Sequence, residues 1–143
     1  MTKHLIIDTS VLIQGFIEDS ETKRVQLLIK SLNTDTSPKL HYPDIGLSEC
    51  ANVLWKQYRF RNANPDQVKT SLRNLIALPL VLYSVSPYLS RALEISLGYD
   101  LAVYDGLYIA LAEKLSYPLV SVDQKQRKVA TLVGVTLLEI SEI

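Results

Sequence analysis

With 143 residues, 48% of them hydrophobic, the chain is long and apolar enough for one globular domain, residues 1–143, with a substantial core. Its 15 basic and 15 acidic side chains cancel, which excludes the strong overall positive charge of many nucleic-acid binders; any contact of that kind must be local. The single cysteine, Cys50, excludes an intramolecular disulfide, no Cys/His spacing resembles a zinc site, and no secretory leader or membrane-length apolar run is read, so a cytoplasmic protein without a membrane partner is expected.

Lys3-His4-Leu5-Ile6-Ile7-Asp8 reads as a short buried strand that delivers an aspartate at its carboxyl end. Val25, Leu28, Ile29 and Leu32 then recur at helical spacing, and the polar stretch 33–38 ends that helix. A strand around Leu40-His41-Tyr42 follows, and after it Leu47, Cys50, Ala51, Leu54 and Tyr58 trace a helical stripe with Asp44 as N-cap. Asn64-Pro65-Asp66-Gln67 predicts a helix start, with Asn capping and Pro at the first position, and the helix runs to about Ala77. Leu80–Tyr83 reads as a strand. Ser86-Pro87 opens a helix that Gly98 closes in the left-handed conformation, and Asp100 is expected to cap the next one. In that next helix Tyr104, Leu107, Tyr108, Leu111 and Leu115 form the stripe facing the core. Pro118-Leu119-Val120-Ser121-Val122-Asp123 is a second buried strand ending in an acid. The alternation predicts an α/β sandwich whose parallel sheet is covered on both faces.

Four acids stand out. Asp8 and Asp123 close buried strands, and in open α/β sheets ligands bind at that carboxyl edge. Each also reads as a turn residue or cap. Glu49 lies in a first helical turn, where an acid is ordinary. Asp105 lies on a side of its helix followed by Gly106, Ile109 and Ala112, with no basic partner one turn away. Asn52 is placed to hydrogen-bond Glu49, with an exposed, unbonded side chain as the equal alternative. Ser10 and Ser121 are placed to orient carboxylates, with capping and turn hydrogen bonds as the alternative.

These segments resemble the PIN-domain ribonucleases, particularly their small VapC-like toxin branch. The pieces that carry the resemblance are Ile6-Ile7-Asp8-Thr9-Ser10, Leu47-Ser48-Glu49-Cys50-Ala51-Asn52-Val53-Leu54-Trp55, Tyr104-Asp105-Gly106-Leu107-Tyr108-Ile109-Ala110-Leu111-Ala112 and Leu119-Val120-Ser121-Val122-Asp123. The resemblance implies a three-layer α/β/α sandwich with a central, mainly parallel sheet. It also implies a metal-dependent endoribonuclease with Asp8, Glu49, Asp105 and Asp123 as its catalytic, metal-binding acids, an antitoxin partner and a homodimer. Two positions depart from the family pattern: Gly106 stands where alanine is common, and Gln124 where a basic residue is common.

Four carboxylates at close range repel, each pair by about 3 kcal/mol at roughly 5 Å and an effective dielectric of about 20. Oxygen-only ligands favour Mg²⁺ or Mn²⁺, ions that orient a water, lower its pKa and stabilise charge on a phosphate. Lys56, Arg59 and Arg61, or Lys125, Arg127 and Lys128, are candidate contacts to RNA, with a solvated helix face as the alternative. Trp55, Tyr58 and Phe60 suit either a partner segment or core packing. His4 and His41 read as structural. A non-catalytic interaction module and a nuclease acting on DNA remain the competing readings, because nothing in the residues separates RNA from DNA.

Overall fold

A computed structural model of the chain describes residues 2–143. Four strands, β1 (His4–Ile7), β2 (Lys39–Pro43), β3 (Val81–Tyr83) and β4 (Leu119–Val120), form a parallel sheet in the order β3-β2-β1-β4. Leu5, Ile6, Ile7, Leu119 and Val120 are fully buried, as strands covered on both faces must be. The connecting helices are α1 (Thr9–Leu12), α2 (Thr22–Ser31), α3 (Ile45–Arg61), α4 (Pro65–Ile76), α5 (Leu89–Tyr99), α6 (Val103–Leu115) and α7 (Gln124–Leu132). The fold is the expected α/β/α sandwich.

The topology positions the site. From β1 the chain steps outward through β2 to β3, then returns to place β4 on the other side of β1. The strand order therefore reverses between β1 and β4, and ligands of open parallel sheets bind beyond the carboxyl ends at such a reversal. The β1–β4 register pairs Ile6 with Leu119 and Ile7 with Val120, and Asp8 N–H donates to Val120 O at 2.9 Å. Asp8 and Ser121 thus leave the sheet side by side.

The main core joins the sheet to α6, to Ala92 and Ile95 of α5, to Val25 and Leu28 of α2 and to Val129 and Ala130 of α7. A smaller cluster of Ile13, Cys50, Leu54 and Leu75 ties α3 to α4. Asn64 caps α4 as predicted, its side chain accepting from the N–H groups of Asp66 and Gln67, with Pro65 at the first position.

The structure corrects the sequence reading in four places. β4 is two residues long rather than six, because Ser121 O accepts from Arg127 Nη1 and Asp123 already caps α7. Gly98 stays helical. Instead Asp100 adopts the left-handed conformation at φ 55° and ends α5, while Ala102, without a side-chain bond, precedes α6; aspartate tolerates that conformation at modest cost. Asp44 stands at the N-cap of α3 but makes no capping bond, since its backbone is already helical. Finally, α6 has no single apolar stripe. Gly106 through Ala112 are all buried while Tyr104 is exposed, because α6 lies between α5 and the sheet.

Candidate active site

Asp8 is 5% exposed at the end of β1. One carboxylate oxygen, Oδ2, accepts from Ser10 N–H at 3.0 Å, which starts α1; the other accepts from Gln126 Nε2 at 3.2 Å. Burial raises its pKa, those hydrogen bonds oppose the rise, and the Asp123 charge adds to it. Asp123 caps α7 by accepting from Gln126 N–H at 2.8 Å, and its own N–H donates to Ser121 Oγ at 3.1 Å. Both aspartates therefore have ordinary capping work, and both still face the same rim.

Glu49 projects from the second turn of α3. Its Oε1 accepts from Tyr108 Oη at 2.6 Å and from Thr9 Oγ1 at 3.3 Å. Thr9 Oγ1 also hydrogen-bonds Tyr108 Oη at 2.7 Å and Tyr42 Oη, and Tyr42 Oη lies 3.4 Å from Cys50 Sγ. Burial raises the pKa of Glu49, the Tyr108 bond lowers it, and the Asp8 charge raises it again. The same low-polarity surroundings push the Cys50 thiol up to about 11, so it stays protonated and inert.

Asp105 differs from the other three. Its carboxylate makes no hydrogen bond and no salt bridge among the described residues. Burial, and then the charges of Asp8, Asp123 and Glu49, push its pKa up to about 6, with Lys125 offering partial relief. Asp105 thus lies within electrostatic range of the other three acids, and Asp8 within range of Asp123 and Glu49.

Of the other singled-out residues, Ser10 and Ser121 meet at 3.5 Å between their hydroxyls, and Ser10 Oγ accepts from Val122 N–H at 3.2 Å. Asn52 is exposed and makes no bond to Glu49, because its position on α3 turns it to solvent. Arg127 is committed to Ser121 O and to Glu139, which removes it from the basic cluster, and Lys125 lies 3.8 Å from Asp100. Lys56, Arg59 and Arg61 are exposed, with the Arg59 guanidinium 5.3 Å from the Phe60 ring centre. His4 and His41 hydrogen-bond each other at 2.9 Å, with His41 also bonded to Tyr83 Oη, and burial lowers the His41 pKa.

Sequence reasoning missed Gln126, Thr9, Tyr42 and the hydroxyl of Tyr108 as parts of this rim. Gln126 carried a usable signal. It shares the inward face of α7 with Val129 and Ala130, and a fully buried amide on an apolar face needs polar partners.

The donor set suits a hard divalent cation, being made only of oxygens with an excess of negative charge. Among the described residues no three His, Cys, Asp or Glu side chains stand close enough to hold an ion as arranged. The fit is therefore one of charge and donor chemistry.

Residues 5–132 match the PIN domain. The chain belongs to the PIN-domain family. Ribonuclease VapC3 of Pyrobaculum aerophilum is 26% identical over 123 residues, spanning 85% of this chain and 90% of that protein. Two solved structures share the PIN fold at lower identity. PAE2754 of Pyrobaculum aerophilum has a TM-score of 0.72 at 18% identity and covers 99% of this chain and 92% of its own. VapC20 of Mycobacterium tuberculosis, a sarcin–ricin-loop-cleaving toxin, has a TM-score of 0.68 at 14% identity, covering 94% and 98%.

The raised pKa of Asp105 makes a prediction about this PIN domain without metal. The folded carboxyl holds its proton up to about pH 6, whereas the unfolded one releases it near 3.8. The folded state binds more protons in that window, so the resulting stability is fully present below the unfolded value and is lost as pH rises through about 6. Because the group is partly exposed, screening reduces the effect to about 1 kcal/mol. In chelator, Asp105→Asn is expected to gain stability relative to the unmodified chain between about pH 5 and about pH 7.5, as read from paired thermal melts; His41 titrates in both proteins and cancels. A difference independent of pH would contradict the electrostatic account.

Proposed function

We propose that residues 1–143 act as one PIN-like unit, a Mg²⁺- or Mn²⁺-dependent endoribonuclease that serves as the toxin of a toxin–antitoxin pair in the cytoplasm. The observation that carries this reading is the Asp105 carboxylate, half-buried without a hydrogen bond and faced by three further acids at the strand-order reversal. Clustered like charges are costly in a metal-free chain, and a divalent ion converts that cost into binding. The likeness to Ribonuclease VapC3 and to the toxin VapC20 supports RNA as the substrate and toxin as the biological role.

Asp8, Glu49 and Asp105 would hold the principal ion, and Asp123 would complete the site or position the attacking water. The ion, when bound, supplies an oriented, acidified water and neutralises charge at the phosphate. The chain's residues do the rest. Ser10 N–H and Gln126 fix the two oxygens of Asp8, and Tyr108 and Thr9 aim Glu49. Lys125, whose charge is felt by Asp105, adds a positive charge for an approaching phosphate.

Two exposed apolar surfaces support protein partners. Ala51, Leu54, Trp55, Tyr58, Val68 and Leu72 line a groove of about 280 Å³ between α3 and α4, suited to the apolar side chains of an antitoxin segment. Leu89, Leu93 and Leu97 line one exposed face of α5 at four-residue spacing, suited to a second copy of the chain. Among the described residues no helix is long and apolar enough to cross a membrane.

The test is cleavage of matched single-stranded RNA and DNA, and of a structured RNA, by partner-free protein with Mg²⁺, Mn²⁺ or chelator. RNA cutting that needs metal is expected. Cutting of DNA alone would favour the DNA nuclease, and no cutting with any metal would favour the non-catalytic module.

A further inference from the structure

Gln126 is separated from Asp8 by 118 positions, yet its side chain joins three parts of the rim. It is 0% exposed. Its Nε2 donates to Asp8 Oδ1 and to the backbone oxygen of Asp105, both at 3.2 Å, and its Oε1 accepts from Ser121 Oγ at 2.6 Å. Both amide hydrogens and the amide oxygen are thus used. The chemistry fixes the orientation of the amide, because a flipped group would set Oε1 against a carboxylate and a carbonyl, neither of which can donate. Ser121 cannot drift either: its hydroxyl accepts from Asp123 N–H and meets Ser10 Oγ.

The consequence is geometric. Asp105 lies in the first turn of α6, and the Asp105 carbonyl anchors that turn to α7 and, through the same nitrogen, to the carboxylate at the end of β1. The spacing between the Asp8 and Asp105 side chains depends on a group that touches both residues and is itself neither acid nor exposed. We infer that Gln126 is a positioning residue for the carboxylate site: it sets the Asp8–Asp105 separation and so tunes which divalent ion the site accepts. This rests on the reading of the acids as a metal site.

The test uses the full-length protein, freed of metal, and the Gln126→Met variant, which keeps side-chain length and apolar burial but removes the amide. Asp8 retains its bond from Ser10 N–H in that variant. Mn²⁺ binding is measured from the disappearance of the free-ion paramagnetic resonance signal, and Mg²⁺ binding by competition. Mn²⁺ affinity is expected to fall roughly ten- to hundred-fold, the usual effect of losing a group that holds a metal ligand. Mg²⁺ affinity is expected to fall further, because Mg²⁺ demands near-ideal octahedral geometry that a loosened pair no longer offers. A purely structural role would lower the melting temperature and leave the Mn²⁺-to-Mg²⁺ ratio unchanged, which would overturn the inference, as would unaltered affinities in a folded variant. Should Gln126→Met not fold, Ser121→Ala removes the anchor of Oε1, together with the acceptor of Asp123 N–H, and is expected to shift the ratio the same way by a smaller factor; an unchanged ratio there would overturn it equally. Binding by the unmodified chain separates the two readings: if it takes up no Mn²⁺, the metal site itself fails and Gln126 with it, whereas binding that the variants leave untouched sinks only the role of Gln126.

Discussion

Asp8→Asn is expected to lose metal-dependent RNA cleavage by on the order of a hundred-fold or more while remaining folded. A bound divalent ion contributes several kcal/mol of transition-state charge stabilisation, and about 1.4 kcal/mol corresponds to each tenfold in rate. Folding should survive, because two local effects nearly offset. The amide keeps one acceptor for Ser10 N–H but turns its NH₂ toward Gln126 Nε2, which loses about 1 kcal/mol of hydrogen bonding. Against that, a carboxylate that burial and Asp123 hold above its usual pKa no longer has to be ionised in the interior. Single-turnover cleavage and circular-dichroism melts check both halves, and a folded variant that cuts RNA at the original rate would remove Asp8 from the mechanism.

Gly46→Ala is expected to destabilise the chain by about 1–2 kcal/mol, against the direction that helix propensity alone implies. Alanine inside α3 gains up to about 1 kcal/mol over glycine. A Cβ at Gly46, however, would press into Cζ, Oη and Cε2 of Tyr42. Tyr42 is fully buried and tied through its hydroxyl to Thr9, so the ring has little freedom to withdraw. Overpacking of this kind costs about 1–3 kcal/mol and wins. Urea denaturation would measure the loss, and Gly46→Ala combined with Tyr42→Leu should lose less than the sum of the single changes, since the clash is shared. Cleavage should fall with stability in Gly46→Ala, because Tyr42, Thr9, Tyr108 and Glu49 form one hydrogen-bonded chain. Increased stability of Gly46→Ala would refute the packing argument.

The strands and most helices were legible because their signals are local. Ile6-Ile7-Asp8 is apolar up to its last residue, and Asn64-Pro65 carries its capping chemistry within four positions. Where neighbouring signals compete, the reading slipped. Gly98 and Asp100 both tolerate a left-handed backbone, and the helix ends at the later one. Burial on all sides erases periodicity, so the stripe assigned to α6 included Tyr104, which the fold exposes. The four acids were visible from their positions at strand ends and in apolar helices, and Asp105 lies within electrostatic reach of the other three. The groups that hold them were harder to see, and only Gln126, an amide on the apolar face of α7, left a local trace. Gln126, Thr9 and Tyr108 act through contacts between residues 40 to 118 positions apart, and no spacing rule reports those.

The carboxylates act in catalysis only if they bind a divalent ion. Calorimetric titration of Mn²⁺ into metal-free protein near pH 7.5, beside the same titration of Asp105→Asn, measures this without requiring a substrate. Saturable binding by the unmodified chain that the variant loses is the expected result. Equal binding by both proteins, or none by either, would contradict the site.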